Sequence, residues 1–234
     1  MLSVLKFETQ VRIIAVLTVL VCALLLLSGL AGGVWGLITS AGLISLLVLG
    51  LLLPLYIRSW FHAVYRFLRG PKFVFPLLDG EWHGEIESNW SLVKKLLAVS
   101  SGKEQGPFDP LNADPNDLEW DPPVQVVATI VSGFLDFEMT MLMTGTKRHS
   151  ETLTVSLDRT EKKRPRLRYI FRQSDDSLKI QPTDRDSHLG SAELILSEDG
   201  TTLSGRYWTD RVGEKGLNTA GRLVLRRRAS SGPS

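Results

Sequence analysis

Residues 11–57 read VRIIAVLTVLVCALLLLSGLAGGVWGLITSAGLISLLVLGLLLPLYI, and the architecture of the whole chain turns on them. From Val11 to Leu30 the one charge is Arg12, and from Val34 to Ile57 there is none. At about 1.5 Å of rise per helical residue, each run is long enough for a hydrocarbon core of about 30 Å. A cleaved signal peptide fits the first run poorly. The run is longer than a signal core, no small-x-small cleavage site follows it, and a second long apolar run comes directly after. The expectation is two membrane-spanning helices. Between them, Ser28-Gly29-Leu30-Ala31-Gly32-Gly33 permits a tight reversal, because glycine adopts positive φ freely, so the spans should form an antiparallel hairpin. The hairpin loop is uncharged, whereas Lys6 and Arg12 precede the first run and Arg58, Arg66, Arg69 and Lys72 follow the second. The positive-inside rule then places both termini and the rest of the chain in the cytoplasm. Gly32, Gly36 and Ser40 fall four apart, as do Ala41 and Ser45. That spacing lets helix backbones approach closely in lipid, although Gly and Ser are also simply common in membrane helices.

Beyond the hairpin, Arg58, His62, Arg66 and Arg69 recur at helical spacing, with Trp60, Phe61, Val64, Tyr65 and Leu68 on the other side. This is the pattern of a basic, aromatic helix at headgroup level, either a topology anchor or a stripe that attracts anionic lipid. Gly70-Pro71 should end it. Residues 1–76 thus make a membrane domain. Roughly 155 residues remain, enough for one domain with its own core. The net charge of +2 is too close to neutral to argue for a polymeric nucleic acid as partner. The single cysteine, Cys22, sits in the first apolar run. There is accordingly no disulfide framework and no cysteine metal site, which agrees with a reducing cytosol.

From Leu78 the apolar period changes from helical to two. Trp82, Gly84, Ile86, Ser88 and Trp90 alternate with Glu81, His83, Glu85, Glu87 and Asn89, as in a half-buried strand. Ser91–Ala98 reads as a short helix and 100–123, rich in Gly, Pro, Asp and Asn, as a long surface loop. Strand-like runs follow at Val124–Val131, Phe134–Met143, Glu151–Leu157, Arg166–Arg172, Ser191–Leu196, Thr201–Thr209 and Leu223–Arg227, with a hairpin turn at Glu198-Asp199-Gly200. Residues 229–234 read as a disordered tail. About eight short antiparallel strands in series, residues 77–228, suggest a compact closed barrel in preference to a sandwich, because closure removes exposed sheet edges. Such a barrel has room for packed side chains or one small ligand.

No catalytic pattern emerges. His62, His83, His149 and His188 are scattered without metal-ligand spacing, and no nucleophile elbow or phosphate-cradling glycine loop is present. Asp175-Asp176 and Asp184-x-Asp186 read as solvated turns. The chain is therefore expected to be neither an enzyme nor a metal-binding protein. Three faces carry polar groups where a plain core would be aliphatic: Ser150, Thr152, Thr154 and Ser156; Arg166, Arg168 and Arg172; and Gly205, Tyr207, Thr209 and Arg211. Hydroxyls, guanidiniums and aromatic rings bind phosphates and stack on bases. The arginines of the second face should point outward, since Leu167, Tyr169 and Phe171 then face in. On the third, alternation allows only one of Tyr207 and Trp208 inside, and Tyr207 shares its face with Thr209 and Arg211. The candidate ligand-binding residues are Tyr207, Thr209 and Arg211, with Lys147 and Arg148 at the barrel rim and Ser150 and Thr152 on the hydroxyl face.

Two apolar spans precede a strand-rich domain that opens Leu78-Asp79-Gly80-Glu81-Trp82-His83-Gly84-Glu85-Ile86-Glu87-Ser88. It closes with His188-Leu189-Gly190-Ser191-Ala192, Leu203-Ser204-Gly205-Arg206-Tyr207-Trp208-Thr209-Asp210-Arg211 and Gly221-Arg222-Leu223-Val224-Leu225. This combination resembles the SMODS-associated two-transmembrane, β-strand-rich effectors of CBASS antiphage systems, over nearly the whole chain. The loop at 91–123 is longer than the family pattern. The resemblance implies a non-enzymatic effector of the bacterial inner membrane, without cofactor. Its cytosolic barrel would bind a cyclic dinucleotide made by a cognate CD-NTase. The protomers would then form a homo-oligomer, and the helices would disrupt the lipid bilayer and kill the infected cell. The competing expectation from the residues is a membrane-tethered barrel for a lipid or other small apolar ligand.

Overall fold

A computed structural model describes residues 7–29, 33–39, 41–52, 57–67, 75–105, 108–109, 111–112, 114, 122–133, 136–175, 187–213 and 216–228. The chain divides into two compact units: Met1–Phe75 with Ser132–Phe137, and Pro76–Val131 with Glu138–Ser234.

The first unit contains the helices α1 (Phe7–Leu27), α2 (Val34–Thr39), α3 (Ala41–Leu52) and α4 (Arg58–Phe67). Helices α1 and α3 pack through Val21, Ile44 and Val48, with Leu17, Cys22 and Leu25 against them. The seam is thus aliphatic. Ser45 is exposed in the single chain, and residues 32 and 40 lie outside the described ones. Away from the seam the helices remain apolar: Val19, Leu24 and Leu46 are each about two-thirds exposed. Among the described residues, no helix is long and apolar enough to cross a membrane. The charge-free part of α1 after Arg12 extends about 22 Å and α3 about 18 Å, both short of a core of about 30 Å. The expected pair of spanning helices is therefore not found among the described residues, and its reversal at residues 30–32 lies outside them. The basic, aromatic helix does form, as α4, with Phe61 buried and the Tyr65 hydroxyl donating to the Phe75 carbonyl. Its expected stop at Gly70-Pro71, the acidic turn Asp184-x-Asp186, Asp176 and the tail at 229–234 lie outside the described residues.

The second unit is a closed antiparallel barrel. Its strands are β1 (Gly80–Ser88), β2 (Val124–Ser132), β3 (Phe137–Met143), β4 (Arg148–Arg159), β5 (Pro165–Asp175), β6 (Ser187–Leu196), β7 (Thr202–Asp210) and β8 (Thr219–Arg227), each beside the next, with β8 pairing β1. The helix α5 (Trp90–Ser100) follows β1 and is pinned at its start, where the Ala220 amide donates to Asn89 Oδ1 (2.9 Å) and the Asn89 amide to the Ala220 carbonyl (2.9 Å). Strand alternation sorts the faces as the period of two requires. Along β5, Leu167, Tyr169, Phe171 and Gln173 are buried. On its outer face, Arg166 makes two 2.8 Å hydrogen bonds to Asp158, and Arg168 Nε lies 2.8 Å from Glu193 Oε2, an ionic ladder across β4, β5 and β6.

The barrel's two ends are built differently. One is filled by Trp82, Leu167, Leu194, Leu203, Leu223 and Leu225, all fully buried. The Trp82 indole donates to the Leu78 carbonyl (2.8 Å), and the Arg227 guanidinium lies 4.7 Å from the ring centre. The other end is a mouth made by the last residues of β1, β3 and β5, the segment just after β7, and the first residues of β2, β4 and β8.

Strand β4 corrects one expectation. Its register with β5 slips between Thr152 and Thr154, a bulge at Leu153. The extra residue reverses facing beyond it. Ser150 is buried, whereas Thr154 and Ser156 are exposed, and Leu157 takes the inward position. The four hydroxyl residues therefore do not share a face.

Candidate functional site

The mouth opens into a cavity of about 400 Å³, within the range of small-molecule sites. Its height in the barrel follows from side-chain size. Across β5, β6, β7 and β8, Leu167 is in register with Leu194, Gly205 and Leu223, an almost wholly aliphatic layer. The next inward layer is Tyr169, Ala192, Tyr207 and Gly221, and the one above it Phe171, Gly190, Thr209 and Thr219. Strand β6 contributes only Ala192 and Gly190 to these two layers, and the described residues that line the cavity come from the other seven strands and the segments beside them. Gly190 has no room for more: a Cβ there would lie 2.3 Å from the Phe171 ring and 2.7 Å from the Trp208 carbonyl oxygen.

Three kinds of group line the space. Ile86, Val124, Met141 and Leu223 make an apolar wall. Trp90, Tyr169, Phe171 and Tyr207 supply rings, with Tyr169 and Phe171 tilted at 44° and 5.7 Å apart. Arg148, Arg211, Gln173, Ser88, Thr209 and Thr219 supply polar groups. The described lining residues include two guanidiniums, Arg148 and Arg211, groups that can pair with an anion. Burial raises the Tyr207 phenol above its ordinary pKa, while the nearby Arg211 charge and a hydrogen bond with Ser88 act in the opposite direction. Thr209 and Thr219 are both buried, and their hydroxyl oxygens lie 2.5 Å apart.

Of the residues singled out in the sequence, Tyr207, Thr209, Arg211 and Arg148 come together around this cavity. Tyr207 points inward, whereas Trp208 is 48% exposed on the outer face. Lys147 is exposed in the turn before β4, and neither it, Ser150 nor Thr152 lines the cavity; the Thr152 hydroxyl donates instead to the Met139 carbonyl (2.8 Å). Thr209 faces the cavity, but its hydroxyl already has a partner in Thr219. Sequence reasoning placed Tyr169 and Phe171 inside without assigning them to the site, and it missed Gln173. The signal was available, because Gln173 continues the inward alternation of β5. Among the described residues there is no cluster of His, Cys, Asp and Glu that would hold a metal ion.

Fold and cavity together define the class: a small closed β-barrel with one aliphatic end and one ring-lined, cationic mouth. No protein-family model and no curated protein matches the chain.

Proposed function

We propose that the barrel is a receptor for a cyclic dinucleotide and that the chain is a non-enzymatic, membrane-acting effector of the CBASS type, its ligand supplied by a CD-NTase. One observation carries the reading: a ligand-sized cavity with two arginines at its mouth and aromatic rings below them. Guanidiniums bind phosphates through charge-assisted hydrogen bonds, and rings take bases by stacking. The apolar surface of α1 and α3 supports the membrane part, since side chains such as Val19, Leu24 and Leu46 are exposed to an extent that water disfavours. Helices shorter than the hydrocarbon core are accommodated by local thinning of the bilayer. In this proposal the helices sit in the bacterial inner membrane with both termini and the barrel in the cytoplasm. Ligand drives homo-oligomerisation by binding the assembled state more tightly than the resting one, and the clustered helices disrupt the bilayer.

The apolar wall of Ile86, Met141 and Leu223 favours one other reading, a barrel for a lipid or similar apolar molecule. Both are tested together by melting the full chain in detergent against a panel of cyclic dinucleotides carrying adenine, guanine and uracil, and against a fatty acid. A dose-dependent rise in melting temperature with at least one cyclic dinucleotide is expected. A rise with the fatty acid and none with the panel refutes the nucleotide reading.

A further inference from the structure

The inward face of β5 runs Leu167, Tyr169, Phe171 and then, at the mouth, Gln173, whose residue is only 5% exposed. Polar side chains this deeply buried are ordinarily paired within the fold. Gln173 has candidates: Ser150 on β4 and His188 on β6 are its register neighbours, and both are buried. Yet no hydrogen bond joins its amide to either of them or to any other described residue. Neither amide atom is among those both unpartnered and shut off from solvent, as the Tyr169 hydroxyl is. An amide that has no partner and is not shut off, on a residue that lines the cavity, opens into it. Methionine would fill nearly the same volume without the cost of desolvating an amide. The amide therefore reads as a group kept for whatever occupies the cavity.

Its position and its chemistry say which part of a ligand it meets. From Arg148 to Thr152, strand β4 runs along β5 without a slip, and Ser150 is level with Gln173. Arg148 therefore stands one inward step, about 7 Å, nearer the rim than the amide. A phosphate held by Arg148 brings the adjoining base to the height of Gln173, in a space also lined by the rings of Trp90, Phe171 and Tyr207. A primary amide sets an N–H donor beside a carbonyl acceptor. It fits a base edge that sets an acceptor beside a donor, as adenine's does. Without ligand the amide is satisfied by water, and a base whose edge cannot replace those hydrogen bonds loses affinity on displacing it. We infer that Gln173 selects the base: its amide pairs bidentately with a base edge that offers one acceptor and one donor side by side. This assignment rests on the receptor reading above, and adds to it a specificity-determining residue.

The test is calorimetric titration of the full chain in detergent with the same cyclic dinucleotide panel, for wild type, Gln173→Met and Gln173→Glu, with thermal melting of each. Gln173→Met should weaken binding of the best panel member by roughly five- to a hundredfold, the worth of one bidentate base contact. It should melt at or above the wild-type temperature, because no hydrogen bond within the fold is lost. Gln173→Glu offers two acceptors and no donor. Of the three bases in the panel only guanine presents two adjacent donors, N1–H and the N2 amino group. All members should bind Gln173→Glu less well beside the added negative charge, but guanine-bearing members should gain on the others by about tenfold. Wild-type affinities in Gln173→Met overturn the inference and leave the receptor reading standing. So does an unchanged ranking of bases in Gln173→Glu, and so does a Gln173→Met protein that melts well below wild type, since the amide would then have a structural partner. A wild type that binds no member of the panel overturns the receptor reading, and the inference with it.

Discussion

Gly190 lies against the Phe171 ring, which lines the cavity, and Gly190→Ala puts both the fold and that ring under load. The added methyl would stand 2.3 and 2.7 Å from two carbons of the Phe171 ring and 2.7 Å from the Trp208 carbonyl oxygen. All three distances are well inside van der Waals contact. The ring can yield only by swinging into the cavity. The carbonyl belongs to the β6–β7 ladder, where Gly190 is in register with Thr209, and can yield only if the ladder opens. Overpacking of this kind costs about 1–3 kcal/mol. At roughly 2–4 °C per kcal/mol for a chain of this size, the melting temperature should fall by roughly 3–10 °C. Cyclic-dinucleotide binding should weaken as well, since the displaced ring occupies the space the base would take. The assay is thermal unfolding of the full chain in detergent followed by β-sheet circular dichroism, alongside calorimetric titration of the same samples. Adding Phe171→Leu to Gly190→Ala should recover part of the stability, because it removes the ring and leaves only the carbonyl contact. A Gly190→Ala protein that melts within about a degree of wild type would refute the close packing of the Phe171 ring and the Trp208 carbonyl against Gly190.

Other outcomes follow from the same structure. Arg211→Ala should weaken cyclic-dinucleotide binding by roughly ten- to a hundredfold, the worth of about 1.5–3 kcal/mol for a charge-assisted hydrogen bond, with the circular dichroism unchanged; equal affinity in calorimetry would remove Arg211 from the site. The buried phenols predict an alkaline weakness. Burial raises the pKa of Tyr169 and of Tyr207 above the unfolded value of 10.0, so their contribution is full below pH 10 and is lost as pH rises above it, when the unfolded chain ionises first. Each phenol steepens that decline by up to about 1.4 kcal/mol per pH unit, so Tyr169→Phe should flatten the alkaline limb of urea-unfolding stability, and a limb of unchanged slope would count against it. Asp158→Asn should cost about 1–2 kcal/mol in the same urea assay, because it breaks the paired hydrogen bonds to Arg166 across β4 and β5; ligand affinity, measured by calorimetry, should not move, since the ladder lies outside the barrel.

Much of the barrel was legible from the chain alone. Eight strands, their order and the inward set on β5 follow from a period of two, and that period is local: it needs only the alternation of Leu167, Tyr169 and Phe171 with arginines. The choice of Tyr207 over Trp208 came from the same rule. Strand ends were less visible. Strands β4, β6 and β8 begin at Arg148, Ser187 and Thr219, three or four residues before their apolar patterns start. Those first stretches of strand show no clear alternation of apolar and polar residues, with Leu189, Gly190, Ala220 and Gly221 among them, and are held by ladders to neighbouring strands. The mouth is made of just such residues, which is why Gln173 went unnoticed and Ser150 and Thr152 were overvalued.

What the sequence determined by itself was therefore the list of elements and which side chains could share a face, because both are set by the backbone's own periodicity. Three things were decided only by the tertiary structure. The bulge at Leu153 split a face that looked continuous, since a bulge arises from register with a partner strand and leaves no trace in alternation. The packing of the Phe171 ring against Gly190 came from setting a glycine of β6 level with a ring on β5, a cross-strand registry that no single strand encodes. The third was the unpartnered hydroxyl of Tyr169: whether a buried donor finds an acceptor depends on which small residue the neighbouring strand happens to present at that height.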